Sequence, residues 1–304
     1  MKKSIYRAIV LGEILFDVFQ NDRHLGGAPF NFAYHLLNLG VPTALISRVG
    51  DDELGRKIIA ISEDLGFPTG GIQIDSDKPT GEARVLPQPF GGPRFEILTD
   101  CAYDYIKEDA FLNSQKTSEL AYFGTLAQRS ETSRHTIIKF LQSQKGKMTI
   151  FLDLNLRPPF YDYGIIDASL SLCDIMKVNE EELKVVQSLL GLNYYFGIGP
   201  LIDHLHREYD IRWICVTRGE QGCELFERGN SVSLKQSAVP VEKFKDSVGA
   251  GDAFSAILAL GIMNKLDMKV TLESASFFAS KICTIKGALP STPDLYRSFF
   301  LSDA

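Results

Sequence analysis

Apolar and polar positions along the chain repeat with two periods. Ala8-Ile9-Val10-Leu11 is an unbroken apolar run stopped by Gly12, the pattern of a strand covered on both faces in a parallel sheet. From Glu13 to Phe19 the residues alternate, with Ile14, Phe16 and Val18 pointing one way and Glu13 and Asp17 the other. On this pattern alone Asp17 is a solvated strand residue. The period then lengthens: apolar positions 32, 33, 36 and 37 with Gly40 as a stop predict an amphipathic helix. Thr43 to Val49 reads as a strand, and Gly50-Asp51-Asp52-Glu53 opens a helix to about Leu65, its acidic start suited to the helix dipole.

Residues 70–105 have another texture. Glycines and prolines there separate short β-like pieces such as Glu82 to Leu86, which predicts hairpins rather than a helical layer. From residue 119 the rhythm is strand, helix, strand. Strands are expected at 120–124, 148–155, 174–179 and 213–217, and helices at 131–143, after Glu180-Glu181-Glu182, at 253–260 and at 271–286.

Composition narrows the class. The chain has 304 residues, 45% hydrophobic and 23% charged, enough to bury a large core. A net charge of -6 gives no basic excess, which argues against nucleic acid or an anionic membrane surface as main partner. Cys101, Cys173, Cys215, Cys223 and Cys283 are scattered, without a C-x-x-C pair, and read as thiols of a reducing cytoplasm. His24 and His35 read as structural. The apolar stretch after Met1-Lys2-Lys3-Ser4 is broken by Arg7, Gly12 and Glu13, so neither a signal peptide nor a membrane span is expected, and the protein is expected to be cytoplasmic.

The candidate chemistry is concentrated in Lys245-Asp246-Ser247-Val248-Gly249-Ala250-Gly251-Asp252-Ala253-Phe254-Ser255. Glycines let the backbone turn sharply and approach a ligand, and the first amides of the following helix form an anion site. Asp252 beside that site is either an ordinary acidic helix start or a carboxylate that takes a proton from a hydroxyl during phosphoryl transfer. Gly26-Gly27, with Asn31 four residues on, is either a loop before a helix or a place where amides and a side-chain amide meet a polar ligand. Asp153-Leu154-Asn155-Leu156-Arg157-Pro158 follows a strand at its carboxyl end, where open α/β sheets bind ligands. Neither a Walker A pattern nor a dinucleotide fingerprint occurs, which leaves the glycine turn as the nucleotide site.

Asp-Ser-Val-Gly-Ala-Gly-Asp-Ala-Phe closely resembles the signature of the ribokinase (PfkB) family of sugar kinases, and further motifs resemble that family in order from Gly12 to about Ser291. The resemblance implies a doubly wound, mostly parallel sheet with helices on both faces. It also implies a small β-sheet lid, formed from about 13–25 and 70–105 within one kinase domain. It makes Asp252 the catalytic base and the Gly249, Ala250 and Gly251 amides the anion hole. Gly-Glu-x-Leu-x-Asp, Gly-Gly-x-x-x-Asn and Asp-x-Asn-x-Arg assign Asp17, Gly27, Asn31 and Arg157 to the sugar. Asn-x-x-Glu assigns Asn179 to the nucleotide and Glu182 to Mg²⁺ through water. Val-Thr-x-Gly-x-x-Gly assigns Thr217, Gly219 and Gly222 to the nucleotide. Asp246, with the loop after Lys286, corresponds to a monovalent-cation (K⁺) and adenine site in relatives. Arg84 and Phe95 are either sugar contacts or lid packing.

The substrates implied are MgATP and a small sugar. Ala28-Pro29 and Asp153 to Pro159 are similar to fructokinases, which makes fructose, phosphorylated to fructose 6-phosphate, the expected reaction. Phe30 and Phe32 depart from the smaller residues usual there and bear on pocket size. Alternatives are 2-keto-3-deoxygluconate, ribose or adenosine as acceptor, or a silent sugar-binding regulatory protein. Intact Asp252, Gly-Ala-Gly, Asn179 and Glu182 favour the enzyme. Exposed lid-strand edges would allow a homodimer.

Overall fold

The computed structural model describes residues 5–19, 22–86, 94–193, 197–290, 292 and 294–296. The strands are β1 (Ala8–Leu11), β2 (Leu15–Phe19), β3 (Asp22–Gly26), β4 (Thr43–Gly50), β5 (Ile72–Asp75), β6 (Glu82–Leu86), β7 (Arg94–Ile97), β8 (Leu120–Phe123), β9 (Thr149–Asp153), β10 (Ile175–Asn179), β11 (Trp213–Thr217), β12 (Cys223–Glu227) and β13 (Leu234–Gln236). The helices are α1 (Ala28–Asn38), α2 (Glu53–Asp64), α3 (Ala110–Ser114), α4 (Glu131–Gln144), α5 (Tyr163–Leu172), α6 (Glu180–Leu189), α7 (Gly199–Glu208), α8 (Ala250–Met263) and α9 (Met268–Ile282). Among the described residues a nine-stranded sheet has the order β13-β12-β11-β10-β9-β8-β1-β4-β5, and a four-stranded sheet has the order β3-β2-β6-β7.

Continuous apolar runs become parallel strands buried on both faces, as the pattern requires. Along β1, Ile9 and Leu11 enter one core while Ala8 and Val10 enter the other. The first core takes the apolar faces of α4, α5, α6 and α7, including Phe140, Ile166, Val186 and Leu205. The second takes α1, α2, α8 and α9, including Phe30, Ile58, Ile257 and Phe278. Helices therefore cover both faces of the large sheet. β12 and β13 join antiparallel at one edge, reached by the short turn after β11.

Four boundaries differ from the sequence reading. Ile72–Asp75, counted within the lid region, pairs in parallel with β4 (Ser47↔Ile72) and belongs to the large sheet. Helix α1 begins at Ala28, before Phe32: the Asn31 amide donates to Gly27 O at 2.8 Å, and Pro29 near the helix start sacrifices no intrahelical bond. Helix α8 already includes Ala250 to Asp252, since the Ala253 amide donates to Gly249 O at 2.9 Å. Helix α9 starts at Met268 under an Asp267 cap and stops at Ile282. Among the described residues no helix is long and apolar enough to cross a membrane. The small sheet is attached through the β1–β2 connection, and β3 and β7 are its outer strands.

Candidate active site

A cleft of about 440 Å³ lies at the carboxyl ends of β9, β10 and β11 and the start of α8, with Leu15, Asp17, Ala83 and Ile97 contributed by the small sheet. Its lining brings together Asp17, Gly27, Asn31, Arg157, Asn179, Glu182, Thr217, Gly249, Gly251 and Asp252. Gly219, Gly222, Ala250 and Asp246 lie outside that lining.

Gly249 caps α8 in a left-handed conformation (φ 77°), and a Cβ there would collide with Ala288. The turn is thus seated on the 284–289 loop and forced to present the start of α8. The Ala250 amide donates to Ser247 O at 3.3 Å. Asp252 stands in the first turn, and Asn31 Nδ2 donates to its Oδ2 at 2.8 Å. Burial, then repulsion from Asp153, pushes the Asp252 carboxyl up to about 6, while the Asn31 bond and the charges of Lys177 and Arg157 hold it down. A carboxylate with that value is poised to change protonation near neutrality, as a general base must.

Beneath it lies a buried ion pair. Lys177 Nζ donates to both carboxylate oxygens of Asp153 at 3.0 Å. Ser255 Oγ donates to Asp153 Oδ2 at 2.7 Å and Tyr122 Oη to the same oxygen at 3.2 Å. Burial opposes the charge on Lys177, but Asp153, Glu182 and Asp252 outweigh it and raise its pKa. A Cβ on Gly251 would stand 3.2 Å from Lys177 Nζ, so the ammonium lies directly against the glycine turn. Asp153 is thus held in an internal ion pair with Lys177.

At the other end, Gly26 and Gly27 have separate reasons to be glycine. A Cβ on Gly26 would occupy the place of Asp17 Oδ2, whereas Gly27 has φ 104° and a Cβ there would meet Glu13 O at 2.7 Å. Burial pushes both Asp17 and Glu13 up to about 7; Arg157 opposes the rise at both and Asp252 adds to it, while Glu13 is also lowered by its own backbone N–H.

At the carboxyl end of β10, Asn179 caps α6 by accepting from the Glu182 amide at 2.8 Å. Glu182 Oε2 accepts from the Asn179 amide at 2.9 Å and Oε1 from the Leu156 amide at 2.8 Å, so this carboxylate clasps the β9–α5 connection to α6. Burial nevertheless raises it above the usual carboxylate range. Gly222 is required by the β11–β12 turn, where a Cβ would strike Gln236 O; Gly219 has φ 53° and open space around it. Asp246 ties two loops together, accepting from the amides of Val248 and Gly287, each at 2.9 Å. Ser291 of the neighbouring loop lies outside the described residues. Arg84 is exposed and Phe95 pairs with Val85 in the small sheet.

Phe30 and Phe32 do not line the cleft. Phe32 stacks on Tyr122 at 3.7 Å between centroids and Phe30 packs edge-on to Phe67, so both fill the core under α1. Sequence reasoning passed over Lys177 and Glu13, which both line the cleft. For Lys177 the available sign was a charge inside an otherwise apolar strand, a costly placement unless it is paired.

This chain belongs to the pfkB family of carbohydrate kinases, whose profile matches residues 6–295. A sugar kinase of Pyrococcus horikoshii is 30% identical over 290 residues, covering 92% of this chain and 86% of that one. Its structure in complex with ATP superposes with a TM-score of 0.78, over 92% of this chain and 93% of that one. Fructokinase-1 of Oryza sativa is 29% identical over 289 residues, covering 88% and 85%. A fructokinase of Xylella fastidiosa with bound ATP, 19% identical, shares the fold at a TM-score of 0.83 over 98% and 99%.

Proposed function

We propose that the protein transfers the γ-phosphate of MgATP to the hydroxymethyl group of a sugar, with fructose converted to fructose 6-phosphate. One observation carries the reading: Asp252, pushed up to about 6, sits at the start of α8 beside the glycine turn and is held by Asn31 from the sugar side of the same cleft. Asp252 accepts the hydroxyl proton as that oxygen attacks the γ-phosphorus in line, and the bond to the β-phosphate oxygen breaks to release ADP. Amides of Gly249, Ala250 and Gly251 stabilise the charge on the transferring group, with Lys177 close beside them. Asp17, Gly27, Asn31 and Arg157 hold the sugar so that its oxygen meets the phosphorus without a diffusive search.

Asn179, Thr217, Gly219 and Gly222 border the nucleotide. Glu182 would hold the Mg²⁺ of MgATP through water, the Asp246 loop would hold a K⁺ ion, and both cations would offset phosphate charge. The whole chain acts as one kinase domain, with the small sheet closing over the sugar to exclude water. Fructose is favoured by the Ala28-Pro29 turn after the paired glycines and by the likeness to the rice enzyme.

The test is ATP consumption with Mg²⁺ against fructose, ribose, 2-keto-3-deoxygluconate and adenosine, with Asp252→Asn alongside. Turnover driven by fructose and lost in the variant is expected. Equal turnover by wild type and variant would remove Asp252 from the role of base.

A further inference from the structure

Glu13 sits between β1 and β2, is 4% exposed and lines the same cleft as Leu15 and Asp17, two and four residues on. Its carbonyl oxygen is what a side chain at Gly27 would strike, so the glycine turn and Glu13 are fixed against each other. The charges acting on its carboxyl are Arg157, Asp252 and Arg129. Arg129 is already committed: Nε and Nη2 donate to the two oxygens of Asp104, each at 2.8 Å, and its guanidinium lies between the rings of Tyr103 and Phe160. Lys177, the other cation of the lining besides Arg157, is bound to Asp153. Arg157 is the cation that acts on Glu13, Asp17 and Asp252 alike, with Lys177 acting on Asp252 and Arg129 on Glu13 as well.

A second observation concerns Asn31, which is 3% exposed and lines the cleft. One N–H of its Nδ2 is given to Asp252, and its Oδ1 is buried without a hydrogen-bond partner. Ionised carboxylates only accept hydrogen bonds, and so does this amide oxygen. The acceptor end thus gathers three carboxyls and an amide oxygen around the single charge of Arg157, and above about pH 7 it is a set of hydrogen-bond acceptors with a net negative charge. A ligand that fits it supplies several O–H donors and no further anion. A carboxylate or phosphate on the sugar would be placed against like charges in a poorly solvated space, which costs several-fold in affinity at least.

We propose that Glu13 is a substrate-binding residue that accepts a hydroxyl of the sugar, and that with Asp17 and Asn31 it restricts the acceptor to uncharged polyols, rejecting sugar acids and sugar phosphates. The inference rests on the transfer reading given above.

The test compares kcat/KM of the full chain with MgATP for fructose and ribose against 2-keto-3-deoxygluconate and fructose 6-phosphate, in wild type and Glu13→Gln. A neutral sugar is expected to exceed both anionic ones by about a hundredfold, and Glu13→Gln to raise KM for that sugar about tenfold with kcat and KM for ATP nearly unchanged, the loss of one charge-assisted bond. An anionic sugar used as well as a neutral one overturns the inference and leaves phosphoryl transfer standing. So does an unchanged sugar KM in Glu13→Gln. If no acceptor drives ATP consumption, the transfer reading fails, and calorimetric binding of the same four compounds decides the charge preference: binding of a neutral sugar supports it and binding of an anionic one overturns it. The wild-type comparison stands even if Glu13→Gln fails to fold.

Discussion

Asn31 Nδ2 donates to Asp252 Oδ2 at 2.8 Å across 221 residues of sequence. The bond joins the helix after the Gly-Gly turn to the helix after the Gly-Ala-Gly turn and gives one amide N–H to the carboxylate, while the amide oxygen stays without a hydrogen-bond partner. Asn31 therefore sets both the position and the acidity of Asp252. Replacing it with Leu is expected to lower kcat/KM by about a hundredfold, from misplacement of the reacting groups. The same change removes an interaction that favours the ionised carboxylate, so the acid limb of the pH profile moves upward. Initial rates from about pH 5 to pH 9 measure both effects.

In wild type, kcat/KM is expected to rise with pH through about 6, where Asp252 loses its proton. Asp252→Asn, nearly isosteric, is expected to lower kcat by about 10² to 10⁴ while ATP still binds. Coupled ADP assays together with nucleotide binding by calorimetry separate the two.

Stability should fall across the same range. Glu13 and Asp17 titrate at about 7 and Asp252 at about 6 in the folded chain, against ordinary values of 4.5, 3.8 and 3.8. The native state thus binds more protons than the unfolded chain in this window, and the stability these protons confer is complete below about pH 4 and lost as pH rises towards 7. Urea midpoints for wild type, Glu13→Gln and Asp17→Asn at about pH 5 and pH 8 check it. The variants should show the shallower decline.

Lys177→Met strips the buried Asp153 of its counter-charge and is expected to destabilise the fold by about 3–5 kcal/mol. Adding Asp153→Asn removes the orphaned charge and should recover more than half of that loss. Urea unfolding of the single and double variants decides the point, since two independent losses would simply add.

Gly26→Ala places a methyl group where Asp17 Oδ2 stands. The carboxylate must move, and KM for the sugar is expected to rise by about tenfold while KM for ATP stays constant. Steady-state kinetics with each substrate varied in turn measures the split.

Strands β1, β4 and β8 to β11 were legible because parallel strands buried on both faces leave unbroken apolar runs such as Ala8–Leu11, whereas the antiparallel edge strands β12 and β13 were not. Asp252 was legible because a glycine turn followed by a helix and an acid is a local feature. Lys177 was passed over: a charge within an apolar strand is a sign that it is paired, but its partner Asp153 lies on a neighbouring strand that local sequence cannot identify. Glu13 looked like one more outward-facing polar position; its burial arises only when the small sheet and the β9–α5 connection close around it. Ile72–Asp75 was misplaced with the hairpins because short β pieces between glycines look alike whichever sheet they join. Start positions of α1 and α8 were missed because Gly27 and Gly249 act as caps without a side chain to announce them.

Helix α1 rests on α8: Phe30, Phe32, Ala33 and Leu36 share a core with Ala253, Phe254, Ile257 and Leu258. During synthesis the first of these groups leaves the ribosome more than two hundred residues ahead of the second. Until α8 and α9 emerge, that flank of the sheet is covered by α1 and α2 alone, and the apolar surface they leave faces water or other chains. Closing so long a loop is slow. A nascent chain stalled before Ala250 would hold the Gly26-Gly27 turn without its partner, sticky rather than half-active.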